Sequence, residues 1–160
     1  MILPGRELMP VIRAALERGQ RVRMTVTGSS MLPFLRDSEV VELEPIRAAL
    51  SPGDIVLAES AAEHYVIHRI VRVKGDSVWL RGDAQAHCEG PLPRQTVFGR
   101  AVTAGRNGRV RALDRGWLRL AGLAWARTSP LGLLLLQLAL PLWQLGRRAQ
   151  RRLQRIWKQT

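Results

Sequence analysis

The residues of this chain best suited to covalent chemistry lie in the hexapeptide Gly28-Ser29-Ser30-Met31-Leu32-Pro33. A serine hydroxyl is a weak nucleophile until a base takes its proton and its position is held rigidly. The hexapeptide meets the second need: Gly28 lets the chain turn tightly, Met31 points into a core, and Pro33 stiffens the exit. The same composition also describes a plain serine-rich turn. For the first need, histidine is well matched, because its ordinary pKa lies near neutral pH. His68 sits in the apolar run YVIHRIVRV, where a half-buried strand histidine is the other reading. Lys74 belongs to a Lys-Gly-Asp turn, and a solvated turn lysine fits it better than a base. His64, His87, Cys88 and Glu89 raise the question of a metal. Residues four apart in a strand, as His64 and His68 are, lie about 13 Å apart, so no shared ion is expected.

Period and turn residues give the elements that must hold these groups. Leu8, Val11, Ile12 and Leu16 recur at helical spacing, predicting a short helix over 5–19 with Pro10 in its first turn. From Arg21 the period becomes two, with Val22, Met24 and Val26 alternating with polar neighbours, and this strand leads into Gly28. Further strands are predicted over 39–43, 54–58, 65–73, 77–81, 96–103 and 109–113. Turns at Pro52-Gly53, Lys74-Gly75-Asp76 and Asn107-Gly108 punctuate them. Many short strands with regular turns and no internal repeat imply a mainly β protein, built on a compact coiled antiparallel β-domain. After Asp114 the pattern becomes helical, and the expected division is a β-domain over 1–113 and a helical extension over 114–160.

Charge follows the same division. The formal net charge is +12, yet residues 115–160 contain nine basic side chains and no acidic one. Their arginines flank the uncharged run 128–146, whose 19 residues would reach about 28 Å as a helix, near the minimum for a bilayer. Pro141 would kink it. Apolar residues beside unbalanced arginines fit an anionic membrane surface better than nucleic acid. The expectation is membrane association through residues 117–158, either spanning or lying in the interface, with packing on a partner or against the β-domain as the third option. The single cysteine, Cys88, gives no intramolecular disulfide framework. Charges at Arg6, Glu7, Arg13, Glu17 and Arg18 leave no apolar core for a signal peptide.

Four segments in order, SSMLPFL, PGDIVLA, VIHRIV and LRGD, resemble the motif series of the type I signal peptidases, which share their fold type with LexA-like peptidases. The likeness spans 26–101. It implies Ser30, the serine before Met31, as nucleophile. It implies His68, before Arg69-Ile70, as the general base, as in the histidine-using branch of the family. A histidine base needs an acceptor on its other ring nitrogen, usually a carboxylate. The resemblance offers Asp83 of Arg81-Gly82-Asp83, and Glu89, which stands where the branch has a second Asp. Asp83 could instead brace the backbone of its Gly-Asp turn. Gly28 occupies the place where many members carry an oxyanion-hole serine, leaving the Ser30 N–H and Ser29 as donor candidates.

The expected function is therefore a membrane-associated serine endopeptidase that cuts a precursor or signal peptide by acyl transfer. Its partners would be a peptide laid beside an exposed strand edge and a lipid surface, with no metal, small-molecule cofactor or nucleic acid. Two other functions share the scaffold. One is a catalytically inactive membrane adaptor, suggested by Gly28 and Glu89. The other is a LexA-like self-cleaving regulator, for which the segment ahead of the β-domain is too short to form a helix-turn-helix.

Overall fold

The computed structural model describes residues 5–60 and 64–125. An amphipathic helix, α1 (Gly5–Glu17), leads into eight strands. These are β1 (Val22–Thr25), β2 (Val40–Pro45), β3 (Ile55–Glu59), β4 (Tyr65–Lys74), β5 (Ser77–Arg81), β6 (Glu89–Pro93), β7 (Val97–Arg106) and β8 (Arg109–Ala112). A helix over 116–125, α2, follows. The strands form one antiparallel sheet in the order β1-β2-β7-β3-β4-β5-β6, with β8 paired to β7. The chain is thus mainly β, as the strand pattern implied.

The sheet forms where the sequence alternates or runs apolar. In β5, Val78 and Leu80 are buried while Ser77, Trp79 and Arg81 are half-buried, the period-two signature of a pleated strand. β3 is buried from Ile55 to Ala58, because β4 and β7 flank it and both its faces are covered. Met9, Ile12 and Leu16 of α1 are buried in one cluster with Val41, Leu43, Leu57 and Phe98. Each such side chain contributes about 1.5–3 kcal/mol by leaving water. Leu16 seats over Gly99 of β7: a Cβ there would lie 3.0 Å from Leu16 Cδ1. A second cluster gathers Val56, Ile70, Val78, Leu80 and Leu92.

Three turns take the conformations their residues favour. Asn107 and Gly108 both have positive φ between the paired Arg106 and Arg109, a two-residue hairpin turn. Gly75 and Gly53 carry positive φ in the other two. Three expectations need correcting. Pro10 lies inside α1 rather than in its first turn, so the helix forgoes one backbone bond there. β7 continues to Arg106, past the predicted end at residue 103. The strand β6, sequence EGPLP, was hidden by its two prolines. It lies at the end of the sheet, pairs among the described residues with β5 alone, and an edge strand tolerates residues without an N–H.

The segment 128–146 and the basic tail lie outside the described residues. Among those described, no helix is long and apolar enough to cross a membrane. The first part of the extension, α2, packs on the β-domain. Leu123 meets Gly53, Arg119 pairs with Asp54 at 3.3 Å, and Trp125 stacks edge-on against Phe34 with centroids 6.3 Å apart. Its other side leaves Trp117 and Leu120 exposed, at 72% and 69%.

Candidate active site

The serine turn is fixed at several points. Gly28 has φ +96, and its N–H donates to Asp37 Oδ1 at 2.9 Å. That bond holds the Asp37 carboxyl below its ordinary range, helped by the Ser38 hydroxyl. Met31 and Leu35 anchor the turn in the core. On the far side, Glu39 is buried and accepts both terminal nitrogens of Arg111, at 2.9 and 2.6 Å. Arg111 also donates to the Phe34 carbonyl at 2.7 Å, so β8 clasps the exit of the turn. Because the Gly28 N–H is engaged with Asp37, it is not a donor for a substrate oxyanion. Ser29 is exposed and Ser30 half-buried.

The turn after β5 lies directly against Ser30. The Ala84 N–H donates to the Ser30 carbonyl at 2.8 Å. A Cβ on Gly82 would fall 2.6 Å from that same oxygen. Only glycine lets the two segments approach this closely.

His68 and Arg69 are consecutive in β4 and therefore project to opposite faces of the sheet. Arg69 is 1% exposed and forms a fork with Asp83, Nε to Oδ1 and Nη2 to Oδ2, both at 2.7 Å. Its third nitrogen, Nη1, donates to the Gly53 carbonyl at 2.8 Å, and its guanidinium lies over the Phe34 ring. Planar two-point pairing of this kind is the strong form of a charge-assisted bond. Burial pushes the Asp83 carboxyl up, while the Arg69 bonds pull it down. Both Asp83 oxygens thus accept from Arg69, and the carboxylate braces the turn.

His68 is 8% exposed and pairs across the ladder with Val56. Its Nδ1 is buried with no hydrogen-bond partner. Burial lowers the imidazole pKa, and the nearby Glu89 carboxylate, at the start of β6, opposes that by favouring the charged ring. Glu89 is the carboxylate whose field His68 feels. Cys88 is a poor rival nucleophile, since burial pushes its thiol up and only the thiolate reacts. No group of three or more metal-binding side chains occurs among the described residues.

Sequence reasoning missed the Arg69–Asp83 pair and the part played by α2. An arginine inside an apolar strand, with a Gly-Asp turn downstream, was the available signal for the pair. Trp125 gave no signal at all, because its contact depends on how α2 docks. The family model described as Peptidase S24-like matches residues 4–102, which include Ser30, His68, Asp83 and Glu89. No curated protein matches the chain.

Proposed function

We propose, from the premise that this chain belongs to the Peptidase S24-like family, that it is a serine endopeptidase with Ser30 as nucleophile and His68 as general base. One observation carries the reading. The turn 82–84 fastens both halves of the pair: Ala84 binds the Ser30 carbonyl, and Asp83 binds Arg69, the neighbour of His68. A nucleophile and its base must be held in register independently of the substrate, and a turn that bonds to Ser30 and to the residue beside His68 supports this reading.

In the proposed reaction His68 takes the Ser30 proton as Oγ attacks the scissile carbonyl. The same proton then passes to the leaving amine, and an acyl-serine remains. Water, deprotonated by His68, cleaves the ester, and the proton returns to Ser30. Through both steps the imidazole is transiently charged. Its buried Nδ1 then needs an acceptor, and Glu89, the carboxylate that raises the imidazole pKa, is our choice for it. The Ser30 N–H, with Ser29 as second donor, is proposed for the oxyanion. The substrate, by the likeness to type I signal peptidases, is an extended precursor segment with small residues near the cut, met at a membrane surface.

The test is cleavage of an alanine-rich precursor peptide by the full chain and by Ser30→Ala. Loss of about a thousandfold or more in rate, with an unchanged melting temperature, supports the assignment. Undiminished turnover rules it out. Family membership also accommodates a self-cleaving regulator. A cleavage rate per molecule that does not change with enzyme concentration, on the chain's own peptide bonds, would favour that reading.

A further inference from the structure

The Asp83–Ala84 peptide group is bonded at both ends. Its N–H, from Ala84, donates to the Ser30 carbonyl at 2.8 Å. Its carbonyl, from Asp83, accepts the Trp125 indole Nε1–H at 2.7 Å. A single peptide plane therefore links α2 to the serine turn, and a donor at one end polarises the amide and strengthens the bond at the other. Four further contacts seat α2 here. Trp125 meets Phe34 of the serine turn, Leu123 covers Gly53, and Arg119 reaches Asp54. Gly122 lies against the Arg69 guanidinium, where a Cβ would collide with it. Residue 125 lies beyond the segment 4–102 that the family model matches, so this contact is not part of the matched peptidase domain.

We infer that Trp125 is a positioning residue for Ser30, acting through the Asp83–Ala84 peptide, so that the C-terminal extension completes the active site. This rests on the reading of Ser30 as the nucleophile. The indole N–H sets the tilt of the peptide plane, and the plane sets the Ser30 carbonyl. The Ser30 side chain leaves from the same Cα as that carbonyl, so a shift in one displaces the other.

The experiment uses the full chain and a fluorophosphonate carrying a short alanine-rich peptide, with the labelling rate measured against probe concentration. Trp125→Phe keeps a ring beside Phe34 and removes the donor. Benzothienylalanine at position 125, which replaces N–H by sulfur in nearly the same shape, covers the case in which the phenylalanine variant does not fold. Both are expected to lower the maximal labelling rate about tenfold, by misplacing the nucleophile. The probe concentration giving half the maximal rate should stay the same. The Ala84 amide proton resonance should move to lower frequency as its bond to Ser30 weakens.

If wild type is not labelled, or Ser30→Ala is labelled as fast as wild type, the nucleophile reading fails and this inference fails with it. If wild type is labelled and Ser30→Ala is silent, a wild-type rate in both Trp125 variants overturns the Trp125 role alone. So does a change confined to the half-maximal concentration, or an unmoved Ala84 resonance.

Discussion

Two carboxylates near the site, Asp83 and Glu89, have the same charge and different employment. Asp83 neutralises a guanidinium that is 1% exposed, and removing one partner of such a pair leaves the other charge buried and alone. Asp83→Asn should therefore lower stability by about 3–5 kcal/mol, read as a lower denaturant midpoint. Glu89→Gln should act on catalysis. Removing the acceptor proposed for the His68 ring should cost about 10²–10⁴-fold in rate. It also removes the influence that raises the imidazole pKa, so the acid limb of the pH–rate profile should move to lower pH. In the wild type that limb should already fall below the ordinary histidine range, because burial lowers the pKa. The same shift links to stability. The unfolded ring binds a proton more readily, so the His68 contribution is complete above about pH 6.5 and is lost as the pH falls below it. Urea midpoints measured from pH 8 to pH 5 check the sign.

At the scale of elements, period and turn chemistry made most of the sheet legible. Seven of the strands lie close to where alternation, apolar runs and Gly-containing turns put them, since those signals depend on neighbours in sequence. β6 was not legible, because its eligibility rests on being at the edge, a property of the whole sheet. The choice between Asp83 and Glu89 was not legible either. The proposed choice rests on the Arg69–Asp83 pair, which forms only when the turn after β5 folds back beside β4. The approach of the turn after β5 to Ser30 is of the same kind, and Gly82 is its condition. Gly82→Ala would put a carbon 2.6 Å from the Ser30 carbonyl and 2.7 Å from Gln85 Oε1. The expected result is a stability loss of about 1–3 kcal/mol. The labelling rate at Ser30 should fall while Cys88 modification is unchanged. A variant crystal structure with Ser30 unmoved would contradict this account.

For the whole molecule the governing feature is asymmetry. A sheet domain with mixed charge continues into an extension with nine basic and no acidic side chains after residue 114. α2 joins the two: its inner side grips the β-domain, while Trp117 and Leu120, three apart, are left facing outward. Tryptophan beside arginine is the composition of an interfacial contact. The full chain should sediment with vesicles containing a third phosphatidylglycerol and much less with pure phosphatidylcholine. Trp117→Ser with Leu120→Ser should weaken the first several-fold without altering the melting temperature. Equal sedimentation of the double variant would detach this face from the membrane.

The bond from Trp125 to the Asp83 carbonyl also has an order in time. A ribosome delivers the chain from its N-terminus, so Ser30, His68 and Asp83 emerge well before Trp125. The nascent sheet can pair its strands and join Arg69 to Asp83 while the bond from Trp125 is still unmade. On our reading of Trp125, the Ser30 hydroxyl of a newly made molecule reaches its full reactivity toward other peptides only once the helix that follows the sheet has arrived.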